Sequence, residues 1–283
     1  MKTARTIDEF RRLREHLAEP VGFVPTMGYL HEGHLSLVRH AKRAAASVVA
    51  SIFVNPSQFA PTEDLAAYPR NLDRDLALLE AEGVDLIFQP TTEEMYPKGF
   101  DTWVDVEELT QRLEGASRPT HFRGVATVVA KLFNIVRPQV AVFGQKDAQQ
   151  ALVIRRLIDD LSFDIDLIVA PTVREPDGLA MSSRNAYLSP EEREAATALC
   201  RSLRHAENLF AGGGRNAENL RHAMMEILEA EALLQPIYVS VADIDTLEEL
   251  EMIDRKTLVS LAARVGKARL IDNVVLPPGE GLI

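Results

Sequence analysis

Phe23-Val24-Pro25-Thr26-Met27-Gly28-Tyr29-Leu30-His31-Glu32-Gly33-His34 reads as a buried strand, a sharp turn and the first turn of a helix. Phe23 and Val24 are apolar and favour β structure. Pro25 has no N–H for a sheet ladder, so the strand is expected to end there. Gly28 suits a turn that needs positive φ or a close approach to a ligand. From Glu32 onward, Leu35, Leu37 and Val38 mix with polar residues at helical spacing. His31 and His34 stand three apart, so a helical turn puts them on one face. A helix N-terminus offers unpaired N–H groups and partial positive charge, which suits a phosphate. Two imidazoles there could donate to phosphoryl oxygens as charge builds up. The same letters also fit two surface histidines beside a loop.

On either side of this stretch, strands and helices alternate. Residues 6–17 read as an amphipathic helix with Ile7, Phe10, Leu13 and Leu17 on one side. Residues 47–55 (SVVASIFVN) are almost continuously apolar, the pattern of a strand buried on both faces. A helix is expected over 72–82 with Gly83 at its cap, then strands at 85–89 and 102–106. Further on come a helix over 124–137, a strand over 140–143, a helix over 148–161 and a strand over 165–170. This alternation predicts an α/β domain, a Rossmann-like doubly wound parallel sheet, over residues 1–173. Ligands of such sheets sit beyond the carboxyl ends of the strands, where the polar turns at 25–34, 55–59 and 144–147 fall.

Residues 174–283 lose the alternation and are expected to form a smaller α+β lid domain. The long polar loop from 171 to 190 joins the two. Ser189-Pro190-Glu191-Glu192 opens a helix with a serine cap, proline at the first helical position and acids in the first turn. That helix should run to about 211, followed by one over 217–230. Strands are expected at 237–241 and 269–275, with a hairpin-like stretch at 257–265.

The 283 residues suffice for one large domain or two ordinary ones. The net charge is −11, which argues against a general nucleic-acid surface while leaving room for a small basic pocket. One cysteine, Cys200, excludes an intrachain disulfide and reads as a small core residue. The N-terminal residues carry no apolar signal core, and no apolar run nears the length of a membrane span, so a cytoplasmic protein is expected. His40, His205 and His222 read as solvated, Trp103 as packing, and the acids Glu248, Glu249 and Glu251 as a solvated helix face.

Two more stretches carry chemistry. Gly144-Gln145-Lys146-Asp147-Ala148-Gln149-Gln150 starts a helix after a buried strand, and its lysine could meet a phosphate as a point charge. A capped helix with an exposed lysine fits the same letters. Met181-Ser182-Ser183-Arg184 offers two hydroxyls and a guanidinium, a polyphosphate clamp or a solvated linker. The Walker pattern GxxxxGK[ST] is absent.

In order and spacing, Pro25-Thr26-Met27-Gly28 with His31-x-Gly33-His34, Phe53-Val54-Asn55-Pro56-Ser57-Gln58-Phe59, Gly144 to Gln150 and Met181 to Asn185 resemble the pantothenate synthetase (pantoate–β-alanine ligase) family over nearly the whole chain. Histidine pairs with a KMSKS-like loop occur more widely, in nucleotidylyltransferases and class I aminoacyl-tRNA synthetases. The FVNPxQF and KDxQQ segments narrow the choice.

The resemblance implies ATP, D-pantoate and β-alanine as substrates, a pantoyl-adenylate intermediate, and AMP and pyrophosphate as products on the route to coenzyme A. It implies ATP binding by Met27, Gly28, Tyr29, Leu30, His31, Glu32, Gly33 and His34. Gly144, Gln145, Lys146, Asp147, Val173, Met181, Ser182, Ser183 and Arg184 complete that implied set. His34 would be the catalytic histidine, with His31 and Lys146 beside it. Gln58 and Gln150 would bind pantoate, and Gln58 would also touch β-alanine. Asn55, Tyr68, Arg118 and His121 would lie near the acyl and amine substrates. Thr120 stands where the family usually has glycine, a demanding exchange if that position needs positive φ. Mg²⁺ is expected with ATP, held mainly by phosphate oxygens; no protein ligand is assigned, and Asp75 is a minor candidate. A homodimer is implied, with no nucleic-acid or membrane partner. The rival readings are a nucleotidylyltransferase that keeps the nucleotide on its product and a non-catalytic nucleotide-binding module.

Overall fold

The computed structural model describes residues 1–60 and 65–283. In chain order the strands are β1 (Lys2–Ala4), β2 (Val21–Thr26), β3 (Ser47–Ile52), β4 (Leu86–Phe88), β5 (Val140–Gly144), β6 (Asp166–Ala170), β7 (Leu234–Asp243), β8 (Thr257–Val265) and β9 (Ala268–Leu276). The α-helices are α1 (Ile7–Arg14), α2 (Glu32–Ala44), α3 (Leu72–Ala81), α4 (Thr92–Met95), α5 (Leu113–Ser117) and α6 (His121–Val136), then α7 (Ala148–Asp160), α8 (Pro190–Ala196), α9 (Ala198–Ala211) and α10 (Ala217–Glu229).

The chain forms two compact units. One comprises Met1–Gln111, Gly115–Gly144 and Gln150–Ala170; the other comprises Arg112–Glu114, Gln145–Gln149 and Pro171–Ile283. The first is built on a parallel sheet in the order β1-β4-β3-β2-β5-β6. From β2 the chain steps to β3 and β4 on one side and later to β5 and β6 on the other, so the strand order reverses at β2. Val24, Val38, Val48, Ala50, Leu79, Ile87 and Val142 form a core cluster of this unit.

Pro25 does not end β2. It lies within the strand, in register with Ser51 of β3. The groups of β2 alternate between its neighbours. The N–H and C=O of Val21 both meet Gln139 on the β5 side, whereas the C=O of Thr26 accepts from Phe53 on the β3 side. By that alternation the missing N–H of Pro25 faces β5. The β2–β5 ladder covers only Gly22 and Phe23. Proline therefore ends one ladder and leaves the other intact, and β2 and β5 part from each other toward their carboxyl ends while staying paired with β3 and β6.

Two further points of this unit differ from the sequence reading. Residues 102–106 are not a strand: the backbone N–H of Val104 donates to Thr127 Oγ1 and its C=O accepts from the same hydroxyl, at 3.0 and 3.4 Å, so a helix side chain replaces a ladder. The edge strand β1, three residues beside β4, had no sequence signal. Trp103 packs as expected, stacked on Tyr96 and lying under Arg123, although it is 40% exposed.

The second unit holds the antiparallel sheet β7-β8-β9 with α9 and α10 against it, around Leu199, Leu203, Leu220, Met224, Val241, Val259 and Leu261. Ser189 caps α8 as expected: its hydroxyl accepts from Glu192 N–H, and Glu192 accepts in return from Ser189 N–H. The helix expected to reach 211 is divided at Thr197, whose hydroxyl bonds back to the C=O of Glu194. The acids at 248–251 are not helical. Glu249 bridges to Ala242 and pairs with Arg221, while Glu248 pairs with Arg112. Cys200 is buried, and burial pushes its thiol up, as befits an inert core residue.

Candidate active site

In the first unit the turn after β2 has the backbone its sequence asks for. Gly28 has φ +81°, and Tyr29 also takes positive φ at 50°. Two consecutive N–H groups of the turn, on Tyr29 and Leu30, donate to the two carboxylate oxygens of Asp75 at 2.7 and 2.8 Å. Asp75 sits in α3 and is 1% exposed. Its carboxylate holds the turn, one oxygen on each amide hydrogen. Asp75→Ala leaves two donors without their acceptor and is expected to cost about 2–4 kcal/mol of stability, measured by urea unfolding. The turn borders a cleft of about 300 Å³ whose wall includes Met27, Gly28, Tyr29 and Asp75.

His31 is the N-cap of α2, and His34 lies one turn along. Their rings stand 4.1 Å apart, so the shared face expected from the spacing is present. The N–H of His31 points to Nδ1 of His34 at 3.3 Å. That bond makes Nδ1 the acceptor and leaves the neutral ring's proton on Nε2, which is then a donor. The two imidazoles stand at the positive end of a helix, an arrangement suited to an anion.

The turn after β3 gathers a second group. Asn55 caps the short 3₁₀ turn Pro56–Gln58. Its amide donates to Gln58 Oε1 and to the C=O of Gly124, both at 3.1 Å, while its Oδ1 accepts from Tyr96 OH at 2.8 Å. Gln58 is 8% exposed, and its Nε2 lies 3.2 Å from the sulfur of Met27. The C=O of Gln58 accepts from His121 Nδ1 at 2.9 Å and from Arg118 at 3.4 Å. Met27, Asn55, Gln58, Arg118 and His121 are therefore in one connected set. Tyr68 is buried edge-on against Phe59. Thr120 has φ −98°, so no glycine conformation is needed at that position. Gly144 ends β5, and Gln150 is half-buried in α7.

In the second unit, Gln145–Asp147 form a 3₁₀ turn leading into α7. Lys146 is half-buried and 3.7 Å from Asp147. Gln149, unassigned by sequence, braces residues 112–114: its amide donates to the C=O of Arg112 at 2.8 Å and accepts from Glu114 N–H at 3.0 Å. The loop expected at 171–190 is more ordered than its composition suggests. Arg174 bridges to Ala180, and Met181 N–H donates to the C=O of Val173 at 3.0 Å. Ser182 caps the 3₁₀ turn Ser183–Tyr187 by accepting from Arg184 N–H. Asn185 ties that turn to Glu175 and to the C=O of Ala180.

Among the described residues, no group of three or more His, Cys, Asp or Glu is arranged to hold a metal ion, and no helix is long and apolar enough to cross a membrane. Residues 2–275 match the family model described as pantoate–β-alanine ligase. The chain is 58% identical to a pantothenate synthetase of Roseiflexus castenholzii, over 98% of this chain and 99% of that one. A crystal structure of pantothenate synthetase from Thermus thermophilus superposes with a TM-score of 0.93 at 51% identity, over 97% of this chain and 99% of the other. A pantoate–β-alanine ligase from Francisella tularensis, complexed with β,γ-ATP and β-alanine, superposes at 0.82 with 35% identity over 100% of both chains. Agreement of fold, motif order and full-length identity leaves one conclusion: the chain belongs to the pantoate–β-alanine ligase family.

Proposed function

We propose that this ATP-dependent pantoate–β-alanine ligase works in two half-reactions. A carboxylate oxygen of D-pantoate attacks the α-phosphorus of ATP, the bond to the β-phosphate oxygen breaks, and pyrophosphate leaves. The amine of β-alanine then attacks the acyl carbon, the bond to AMP breaks, and pantothenate forms with loss of one proton. The activation step is needed because a carboxylate is a poor acyl donor until its oxygen becomes part of a good leaving group. Attack by an anion on a polyphosphate requires cations and N–H donors around the phosphorus.

We assign ATP binding to Met27, Gly28, Tyr29, Leu30, His31, Glu32, Gly33 and His34, with Gly144, Gln145, Lys146, Asp147, Val173, Met181, Ser182, Ser183 and Arg184. His34 is the catalytic donor, supported by His31, and Lys146 supplies a point charge. Gln58 and Gln150 take pantoate, and Gln58 also meets β-alanine. Neutral amides orient an anion without trapping it as an ion pair. Mg²⁺ accompanies ATP, held by phosphate oxygens, and neutralises their charge. A homodimer in the cytoplasm is proposed on the family resemblance.

The observation that carries this reading is the His31–His34 pair, its acceptor and donor nitrogens sorted by the His31 N–H, at the start of α2. The test is incubation with ATP, Mg²⁺ and pantoate, with and without β-alanine. Pyrophosphate without β-alanine, and free AMP with pantothenate when it is added, are expected. A stable nucleotide-bearing product would overturn the reading. Gln58→Ala is expected to raise the pantoate requirement about tenfold or more, as loss of a hydrogen bond to a charged group would. An unchanged pantoate titration would remove Gln58 from the site.

A further inference from the structure

We propose that Asn273, on β9, is a positioning residue for Lys146; this rests on the assignment of Lys146 to the phosphates. Asn273 is 3% exposed. Its amide nitrogen donates both hydrogens to backbone, one to the C=O of Gln145 at 2.9 Å and one to the C=O of Lys146 at 3.0 Å. Its oxygen faces Gln145 Nε2 at 3.4 Å. Two adjacent carbonyls need two donors from one point, which a primary amide supplies and a carboxylate or an alkyl group cannot.

The bracket is itself fixed. The N–H of Asn273 donates to Asp272 Oδ1 at 2.8 Å. Asp272, 2% exposed, takes the guanidinium of Arg174 through both oxygens, at 2.6 and 3.0 Å. Arg174 also donates to the C=O of Gly178 at 3.1 Å. Two consecutive residues of β9 thus anchor both the turn that carries Lys146 and the loop that leads into Met181–Arg184. A lysine ammonium on a four-carbon stem acts at a defined point only if its root is held, and Asn273 holds that root by two bonds. The bracket is buried and neutral, so it fixes the turn without adding a charge that would compete for the ammonium.

The experiment is a double-mutant cycle on the full-length enzyme, with pyrophosphate release followed at saturating pantoate over a range of ATP concentrations. Asn273→Ala is expected to slow adenylation about 10–100-fold, the scale of a small misplacement of a reacting group. In the Lys146→Ala background the same change should cost less than about threefold, because the group it positions is gone. An equal loss in both backgrounds marks Asn273 as merely structural and overturns the proposal, as does a normal rate for Asn273→Ala. A normal rate for Lys146→Ala alone instead removes the assignment of Lys146, and the proposal with it. If Asn273→Ala does not fold, Asn273→Asp keeps the shape, loses both donors and is expected to show the same non-additivity.

Discussion

His34→Ala should slow pyrophosphate release from ATP and pantoate about 10²–10³-fold, a loss of roughly 3 kcal/mol of transition-state stabilisation. The size follows from geometry. The N–H of His31 occupies Nδ1 of His34, so the ring's hydrogen lies on Nε2 and the donor has a fixed direction. A donor held in place before reaction costs no reorganisation when negative charge moves onto the phosphoryl oxygens. The start of α2 adds the helix's partial positive charge at the same place. Alanine removes the donor and leaves the helix end, so some rate should survive. His34→Gln, which can present an amide N–H, should recover part of the loss, whereas a charge-only role would give no recovery. The assay omits β-alanine so that only the first half-reaction is read. Adenylate formation near the wild-type rate in His34→Ala would contradict the assigned role.

Local chemistry made much of this molecule legible. The runs around Val24, Val49 and Val142 are apolar on both faces because the sheet is covered on both, so their parallel character could be read directly. The Ser189 cap and the Gly28 turn were readable because each depends on a residue's own conformational preferences. Pro25 misled because proline's cost depends on which neighbour its missing N–H would face, a property of pairing that no window contains. The acids near 248 misled because charge density resembles a helix face, while their partners, Arg112 and Arg221, lie on distant segments. The site divides the same way. The histidines and Gln58 stand in compact motifs. Asp75 is 45 and 46 residues from the amides it holds, and Asn273 is 127 and 128 residues from the carbonyls it brackets. Their types are ordinary, and only the fold gives them a task.

Gly124→Ala tests whether the turn that carries Gln58 depends on close backbone approach. In an open helix this exchange stabilises by up to about 1 kcal/mol, since alanine is the better helix former. Here the opposite sign is expected. A Cβ on residue 124 of α6 would lie 2.4 Å from the C=O oxygen of Ser57, 2.5 Å from its carbon and 2.7 Å from Cα of Gln58. All three atoms are in or next to the main chain of a capped 3₁₀ turn, so no side chain can swing aside. Either α6 or the turn must move. Movement also strains the bond from Asn55 to the C=O of Gly124, and with it the amide that holds Gln58 Oε1. The expected cost is about 1–3 kcal/mol of stability, typical of overpacking. The pantoate requirement should rise together with that loss, because Gln58 shifts with its turn. Thermal unfolding and a pantoate titration on the same preparation check both. A raised melting temperature with an unchanged pantoate titration would mean that helix propensity wins and that the close contact between α6 and the turn relaxes at no cost.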